Sequence, residues 1–175
     1  MWNFKYRDEY LPFVEDLLAH PDVCAMRQLP QHAKGFSCFH HSLLVSYLSF
    51  RLCRALGLDM RSAARGGLLH DLYLYNWQDK STHPHVNHAF DHPLVALENA
   101  QARFPLNPTE ADIIATHMFP LAITRPHHCL ESVVVGAMDK LCAVAELLRL
   151  TPPVVEEAPV TLLSPAQSAT LGRAA

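Results

Sequence analysis

Six histidine and aspartate residues occupy positions in this sequence where they could bind metal ions. The most informative two, His70 and Asp71, are adjacent at the end of an apolar helical run. A buried helix that ends in an imidazole and a carboxylate must satisfy both groups with hydrogen bonds, partner charges or a metal ion. A lone histidine is more often a hydrogen-bonded structural residue, but an ordered set is far more specific. In chain order the set is His41, His70, Asp71, His92, His117 and Asp139.

Helices must position these residues, because apolar residues recur at three- and four-residue spacing with almost no alternating pattern. An all-α fold of about six to seven helices is therefore predicted. Five of the six candidates then lie at or near helix ends, whereas Asp139 lies inside the last helix and needs a cation or several donors if it points inward. The Leu, Val and Met stripe around Asp139 is predicted to be core. The predicted helices cover residues 9–19, 21–29, 39–56, 60–71, 92–104, 108–117 and 131–150.

Several residues indicate where the helices begin, end and touch. Gly57 is expected to end the third helix, and Asp59 to cap the fourth. Asn107-Pro108-Thr109-Glu110 fits a capping box with proline at the first helical position. Gly66 and Gly67 each cost about 1 kcal/mol relative to alanine inside a helix. They therefore predict that the helix carrying His70 packs closely against the helix carrying His41.

Two long loops are predicted, over residues 73–91 and 118–128. Loops of this length in compact domains are often functional. The first contains His83, His85 and His88, which fit either a pocket wall or ligands of a third ion. Exposed loop histidines are the favoured interpretation.

Composition limits the class of protein. The chain has 175 residues, half of them hydrophobic, which fits one domain with one core. Its net charge of −3 predicts no nucleic acid polymer as partner, and no apolar run reaches the roughly 18 residues of a membrane helix. Because the first residues lack a signal-peptide pattern, a cytoplasmic location is expected. The five cysteines are far apart, which predicts reduced thiols, mostly in the core.

Three segments are expected along the chain. Residues 1–35 form a helical lead-in, residues 36–150 form the main domain, and residues 151–175 form a mostly disordered tail with four prolines among valine, alanine and serine. The candidate ligands all fall within the main domain.

The ordered set resembles the HD-domain superfamily of metal-dependent phosphohydrolases over about residues 36–148. The motifs that carry the resemblance are His41-Ser42-Leu43-Leu44-Val45, Leu68-Leu69-His70-Asp71, His92-Pro93-Leu94-Val95-Ala96, Ala115-Thr116-His117 and Asp139-Lys140. The two extra histidines are similar to those of its dinuclear, six-ligand branch. The resemblance implies a helical bundle and two metal ions. One ion would be held by His41, His70, Asp71 and Asp139, and the second by His92 and His117, with Asp71 as the bridge between them.

The chemistry of the ligands agrees with this implication. Imidazole and carboxylate together suit iron or manganese, with zinc or cobalt as alternatives. Two divalent ions and two aspartates leave about two positive charges for an anionic substrate, and a hydroxide between the ions is a nucleophile at neutral pH. The hypothesis is thus a phosphohydrolase acting on a nucleotide or another small phosphorylated substrate, with Asp71 as the catalytic bridge. Loop position alone suggests Lys80, Arg125, His127 and His128 as phosphate contacts.

The same ligands are compatible with two other functions. Some proteins with the same six-ligand arrangement hold a mixed-valent iron pair and cleave substrates with dioxygen, and the ligands do not separate that oxygenase from a hydrolase. The other is a non-catalytic sensor whose metal pair binds a nucleotide without turnover. The oligomeric state is also open, with a homodimer as one option.

Overall fold

The computed structural model describes residues 5–33 and 35–150, which form seven α-helices. An isolated bridge between Pro30 and Ser37 is the strand-type pairing found within these ranges, so the all-α prediction is confirmed. The predicted tail over 151–175 lies outside the described residues. The helices are α1 (Arg7–Leu18), α2 (Pro21–Ala25), α3 (Cys38–Leu56), α4 (Met60–Leu69), α5 (His88–Gln101), α6 (Pro108–Thr116) and α7 (Leu130–Leu147), with short 3-10 helices at Met26–Gln28 and Lys80–Thr82.

The predicted helix ends are confirmed where a local side chain or glycine sets them. Gly57 ends α3 in the left-handed conformation with φ of 70°, which glycine adopts without the steric cost that a Cβ atom brings. The Asp59 side chain caps α4 by accepting a hydrogen bond from the Ser62 amide. Asn107 and Glu110 form the full capping box of α6.

Helices α3 and α4 pack together at the centre, and Gly67 of α4 lies directly against the α3 backbone. A Cβ atom at Gly67 would lie 2.9 Å from the Ser46 Cα atom of α3. Gly66, in contrast, faces α6, where a Cβ atom would lie 2.7 Å from the Ile113 side chain. The prediction that both glycines allow α3 to pack closely against α4 is therefore right for Gly67 and wrong for Gly66. Consecutive helical residues point about 100° apart, so they meet different neighbours.

The predicted lead-in contributes to the same core as the later helices. Tyr10, Val14 and Leu17 of α1 are fully buried within the main hydrophobic cluster, together with Phe50 of α3 and Leu68 of α4. Helix α1 thus packs on the bundle, while the division into three segments stays a prediction.

Helix α5 begins one turn before the predicted start at His92. The Asp91 carboxylate accepts a hydrogen bond from the Asn87 amide (2.8 Å), which stabilises a helix start at His88. Pro93 then lies inside the helix, where its missing N–H forfeits one helical hydrogen bond. His92 consequently occupies the second turn of α5.

Helix α7 is less buried than its apolar sequence predicts. Val134, Val135 and Cys142 are buried, but Leu141 is 60% exposed and Val144 is 53% exposed. The prediction of a core stripe is therefore correct for one face of α7 only.

The remaining predictions from composition concern cysteines and membrane helices. All five cysteines are free thiols, and Cys38, Cys53 and Cys142 are buried. None of the helices in the described part of the chain has both the length and the apolar character of a membrane span.

Candidate metal centre

Five helices bring the six candidate ligands to one place. His41 is in the first turn of α3, His70 caps the C-terminus of α4 and Asp71 follows it. The others are His92 on α5, His117 at the C-terminus of α6 and Asp139 within α7. All six are buried. Their ligand atoms lie within 4.8 Å of one another in three groups: His41, His70 and Asp71; His70, His117 and Asp139; and Asp71, His92 and His117.

Asp71 belongs to two of these groups because its two oxygens face different histidines. Oδ2 lies 3.5 Å from His70 Nε2. Oδ1 lies 3.5 Å from His92 Nε2 and 3.7 Å from His117 Nε2. A carboxylate placed between two sets of imidazoles has the geometry to share its oxygens between two ions.

Asp139 completes the side of the cluster around His41 and His70. Its Oδ1 lies 3.0 Å from His41 Nε2 and 3.6 Å from His70 Nε2. This carboxylate of α7 therefore points inward, which is the case in which it needs a cation or several donors.

Hydrogen bonds through Nδ1 orient all four histidine rings so that Nε2 points into the cluster. Such outer contacts fix the tautomer of a metal-binding imidazole. His41 differs from the others, since its Nδ1 contacts the Glu146 carboxylate at 2.9 Å. The other three contact backbone carbonyls: His70 with Gly67 (2.8 Å), His92 with His88 (2.5 Å) and His117 with Ile114 (2.9 Å).

The donor set fits a metal ion. His70 Nε2 is fully buried and has no hydrogen-bond partner, which is costly for a polar atom without a further ligand. Four imidazoles and two carboxylates with converging atoms are a set that transition metals bind. The buried groups can therefore hold metal ions.

Electrostatics divides the histidines of the metal-free protein into two kinds. Burial disfavours a charged His41, but the Asp139 and Glu146 carboxylates outweigh it and raise the pKa of His41 to about 10. Burial, with His70 and His92 nearby, lowers the pKa of His117 to about 3, so His117 is neutral. Its Nε2 lies 2.9 Å from His92 Nε2. An ion beside His41 would replace a proton, because an imidazole must be deprotonated to bind a metal.

Asp71 stays ionised in this environment. Burial by itself would raise the pKa of Asp71, but the surrounding histidines, His70 first among them, hold it below the usual carboxyl value. The cluster thus keeps a charged carboxylate at its centre.

The cluster opens on a cavity of about 290 Å³. Asp71, His92 and Asp139 form part of its wall, as do Trp77 and Lys140. A mixture of apolar wall and a few polar groups is usual for small-molecule sites.

The four loop residues predicted to contact phosphate do not line this cavity. Each has another partner: Lys80 the Val86 carbonyl, Arg125 the Phe90 carbonyl, His127 the Thr116 hydroxyl and His128 the Asp112 carboxylate. Their role in substrate binding stays a prediction. Lys140, which the sequence showed only as the neighbour of Asp139, does line the cavity.

The three histidines of the first loop have three different environments. His85 is exposed, as expected. His83 is buried, which corrects the prediction, and its ring contacts the Trp77 and Val86 carbonyls within the loop. His88 is on the cavity wall, stacked between His92 (4.6 Å between ring centroids) and Trp77 (5.3 Å).

Two residues before α3 also reach the centre, although sequence reasoning missed them. The Gln31 amide donates to Asp71 Oδ2 (2.7 Å), and its carbonyl accepts from the Tyr73 hydroxyl (3.0 Å). The exposed His32 ring lies edge-on to His41 with its ligand atom within 4.8 Å of those of His41 and Asp139. No spacing rule links a loop residue to an aspartate 40 positions later, so the sequence held no signal for either contact.

Comparison with known proteins agrees with the geometry. The HD domain family matches residues 38–144, a range that contains all six clustered residues. Neither a curated protein nor a solved structure matches the chain significantly. The family match covers more than half of the sequence, and its ends lie close to the first turn of α3 and the last turn of α7. This chain therefore belongs to the HD domain family, whose members are mostly metal-dependent hydrolases.

Proposed function

We propose that this protein is a metal-dependent phosphohydrolase with two divalent transition ions and a small phosphorylated substrate, nucleotides being the first class to test. The observation that carries the proposal is the position of Asp71, whose Oδ2 faces His70 and whose Oδ1 faces His92 and His117. Iron and manganese are the first ions to test, followed by zinc and cobalt.

The assignment of ligands is the one that the family resemblance implies, and the distances are compatible with it. His41, His70 and Asp139 would hold one ion, His92 and His117 the other, and Asp71 both. Two divalent ions in such a site supply a strong water-derived nucleophile at neutral pH and stabilise the oxygens of a phosphoryl group. Among the chain's own groups, Gln31 fixes the orientation of Asp71 through its hydrogen bond to Oδ2.

Two further side chains suit the substrate. Lys140 Nζ donates to the His117 carbonyl (2.6 Å) and the Gly136 carbonyl (3.1 Å), which places its charge at the cavity wall beside the cluster. An ammonium has three donors, so one is left after these two carbonyls. Nζ also lies 3.7 Å from Asp139 Oδ2, which keeps the charge beside the cluster, and we propose that the third donor binds a phosphate oxygen. The Trp77 indole N–H donates a hydrogen bond to the Pro30 carbonyl (3.0 Å). The Trp77 side chain lines the same cavity.

Replacement of Lys140 by methionine is expected to raise KM for a phosphorylated substrate about tenfold or more, because a charge-assisted hydrogen bond contributes about 1.5–3 kcal/mol. The matched control is Lys80→Met, which removes the loop lysine that the sequence suggested and should change KM less than about twofold. The measurement is KM of the wild type and the two variants by steady-state kinetics, at equal metal content. A larger rise in KM for Lys80→Met than for Lys140→Met would indicate that the loop lysine contacts the phosphate.

The experiment that tests the proposed function is phosphate release after controlled metal loading. The protein would be purified anaerobically, freed of metal with a chelator, reloaded with iron, manganese, cobalt or zinc, and incubated with nucleotides and sugar phosphates. Release that requires metal and is lost on chelation is the expected result. Turnover that requires iron and consumes dioxygen would instead identify an oxygenase, and tight nucleotide binding without turnover under every metal would identify a sensor.

A further inference from the structure

We infer that Glu146 is a positioning residue of the metal centre, which holds the His41 ring and strengthens binding of the ion on the His41 side. The inference rests on the metal site of the proposed function. It assigns a role to a residue outside the six ligands.

The contact between Glu146 and His41 is direct and buried. Glu146 Oε1 lies 2.9 Å from His41 Nδ1, and the two side chains are 1% and 0% exposed. On the other side of the ring, Asp139 Oδ1 lies 3.0 Å from Nε2. Glu146 follows Asp139 by seven residues, which is two helical turns, so one face of α7 carries both carboxylates. Helix α7 thus holds both nitrogens of one imidazole.

This arrangement is particular to His41 among the four clustered histidines. The other three rings are oriented by backbone carbonyls, which are neutral and cannot be altered by substitution. A carboxylate partner makes an imidazole a stronger metal ligand than a neutral carbonyl does, because its negative charge raises the basicity of the ring.

The second oxygen of Glu146 indicates that its charge matters beyond one hydrogen bond. Oε2 is buried and has no hydrogen-bond partner, which is an expensive state for a carboxylate. A single hydrogen bond to His41 would be made equally well by the carbonyl of a glutamine. A full negative charge has a clear use where cations bind a few ångströms away.

The charge also makes the two halves of the centre different. Asp139 and Glu146 contact His41 directly, at 3.0 and 2.9 Å, in addition to the shared Asp71. The carboxylate nearest to His92 and His117 is Asp71, at 3.5 and 3.7 Å, and Asp139 comes only within 4.8 Å of His117. The ion on the His41 side is accordingly the more tightly held of the two.

The test is a cobalt titration of the full chain against a competing chelator, for Glu146→Gln made in three backgrounds. In the wild-type background, affinity for the tighter ion should fall about 10–100-fold. In a His92→Ala background, where the ion on the His41 side remains, the same loss is expected. In a His41→Ala background the loss should be at least about fivefold smaller than in the wild-type background, because the ring through which Glu146 acts is gone and only its charge remains.

Glu110→Gln is the matched control, since Glu110 is equally buried but pairs with Arg65 (3.1 Å), away from the cluster. It should lower the thermal midpoint of unfolding without changing cobalt affinity. If Glu146→Gln does not fold, Glu146→Asp is measured in the same way, and a loss of cobalt affinity that depends on His41 is again expected.

Two results would overturn the inference: unchanged cobalt affinity in Glu146→Gln, or an equal loss with and without His41. Either would assign Glu146 to general packing of α7. Cobalt binding does not depend on turnover, so a chain that shows the His41-dependent loss yet releases no phosphate would reject the phosphohydrolase and retain the role of Glu146.

Discussion

Replacement of Asp71 by alanine is expected to remove both metal ions from the folded protein and to lower phosphate release by about 10³-fold or more. The reason is that Asp71 is the residue common to both sets of histidines, at 3.5 Å from His70 on one side and 3.5 Å from His92 on the other. Its loss also removes the carboxylate to which the Gln31 amide donates at 2.7 Å. Metal content per chain after dialysis, measured by mass spectrometry, and phosphate release are the two readouts.

Asp112→Asn provides the control for this substitution. Asp112 is an aspartate of α6 that accepts hydrogen bonds from the Ser132 hydroxyl of α7 and the His128 amide, outside the cluster. This variant should keep both ions. Two ions per chain in Asp71→Ala would refute the proposal that Asp71 binds both ions. One ion per chain would show that one group of histidines binds its ion without Asp71.

Replacement of Gly67 by valine is expected to lower the free energy of unfolding by about 3 kcal/mol, which corresponds to a thermal midpoint about 10 °C lower. The added Cβ atom would lie 2.9 Å from the Ser46 Cα atom, and backbone cannot move aside as a side-chain tip can. Ser46 is further held by hydrogen bonds to the Tyr10 hydroxyl and the Ala64 carbonyl. Metal content should fall as well, since the Gly67 carbonyl orients His70.

Ala55→Val is the comparison, because Ala55 is exposed on α3 and reports the cost of a β-branched residue in a helix, about 0.5 kcal/mol. Thermal and denaturant unfolding of the two variants would be measured side by side in the metal-free state. A Gly67→Val cost within 1 kcal/mol of the Ala55→Val cost would mean that α3 and α4 can separate without penalty.

Much of this molecule follows from local sequence. The helices and their ends were predictable because periodicity, Gly57, Asp59 and the Asn107 capping box act within a few residues of one another. The six candidate ligands could be collected because five of them stand at or near helix ends and their order resembles a known family. The structure brings all six together, and their role as ligands is the proposal to test.

Predictions from local sequence were wrong in three places: the start of α5, the burial of α7 and the exposure of His83. Pro93 suggested a helix start at His92, but the contact from Asp91 to Asn87 begins α5 a turn earlier. The apolar residues of α7 suggested a buried helix, but packing covers one face of it. His83 was expected at the surface and is buried by contacts within its own loop.

The sequence by itself determined the helices, their caps and the residue types that converge on the metal centre. Only the tertiary structure decided which helix Gly66 meets, that Gln31 and His32 reach the cluster, that Lys140 lines the cavity, and that Glu146 contacts His41. The physical reason is the range of the interactions. Caps and periodicity act over three to seven residues, whereas these contacts join positions that are distant in the chain and depend on how whole helices pack.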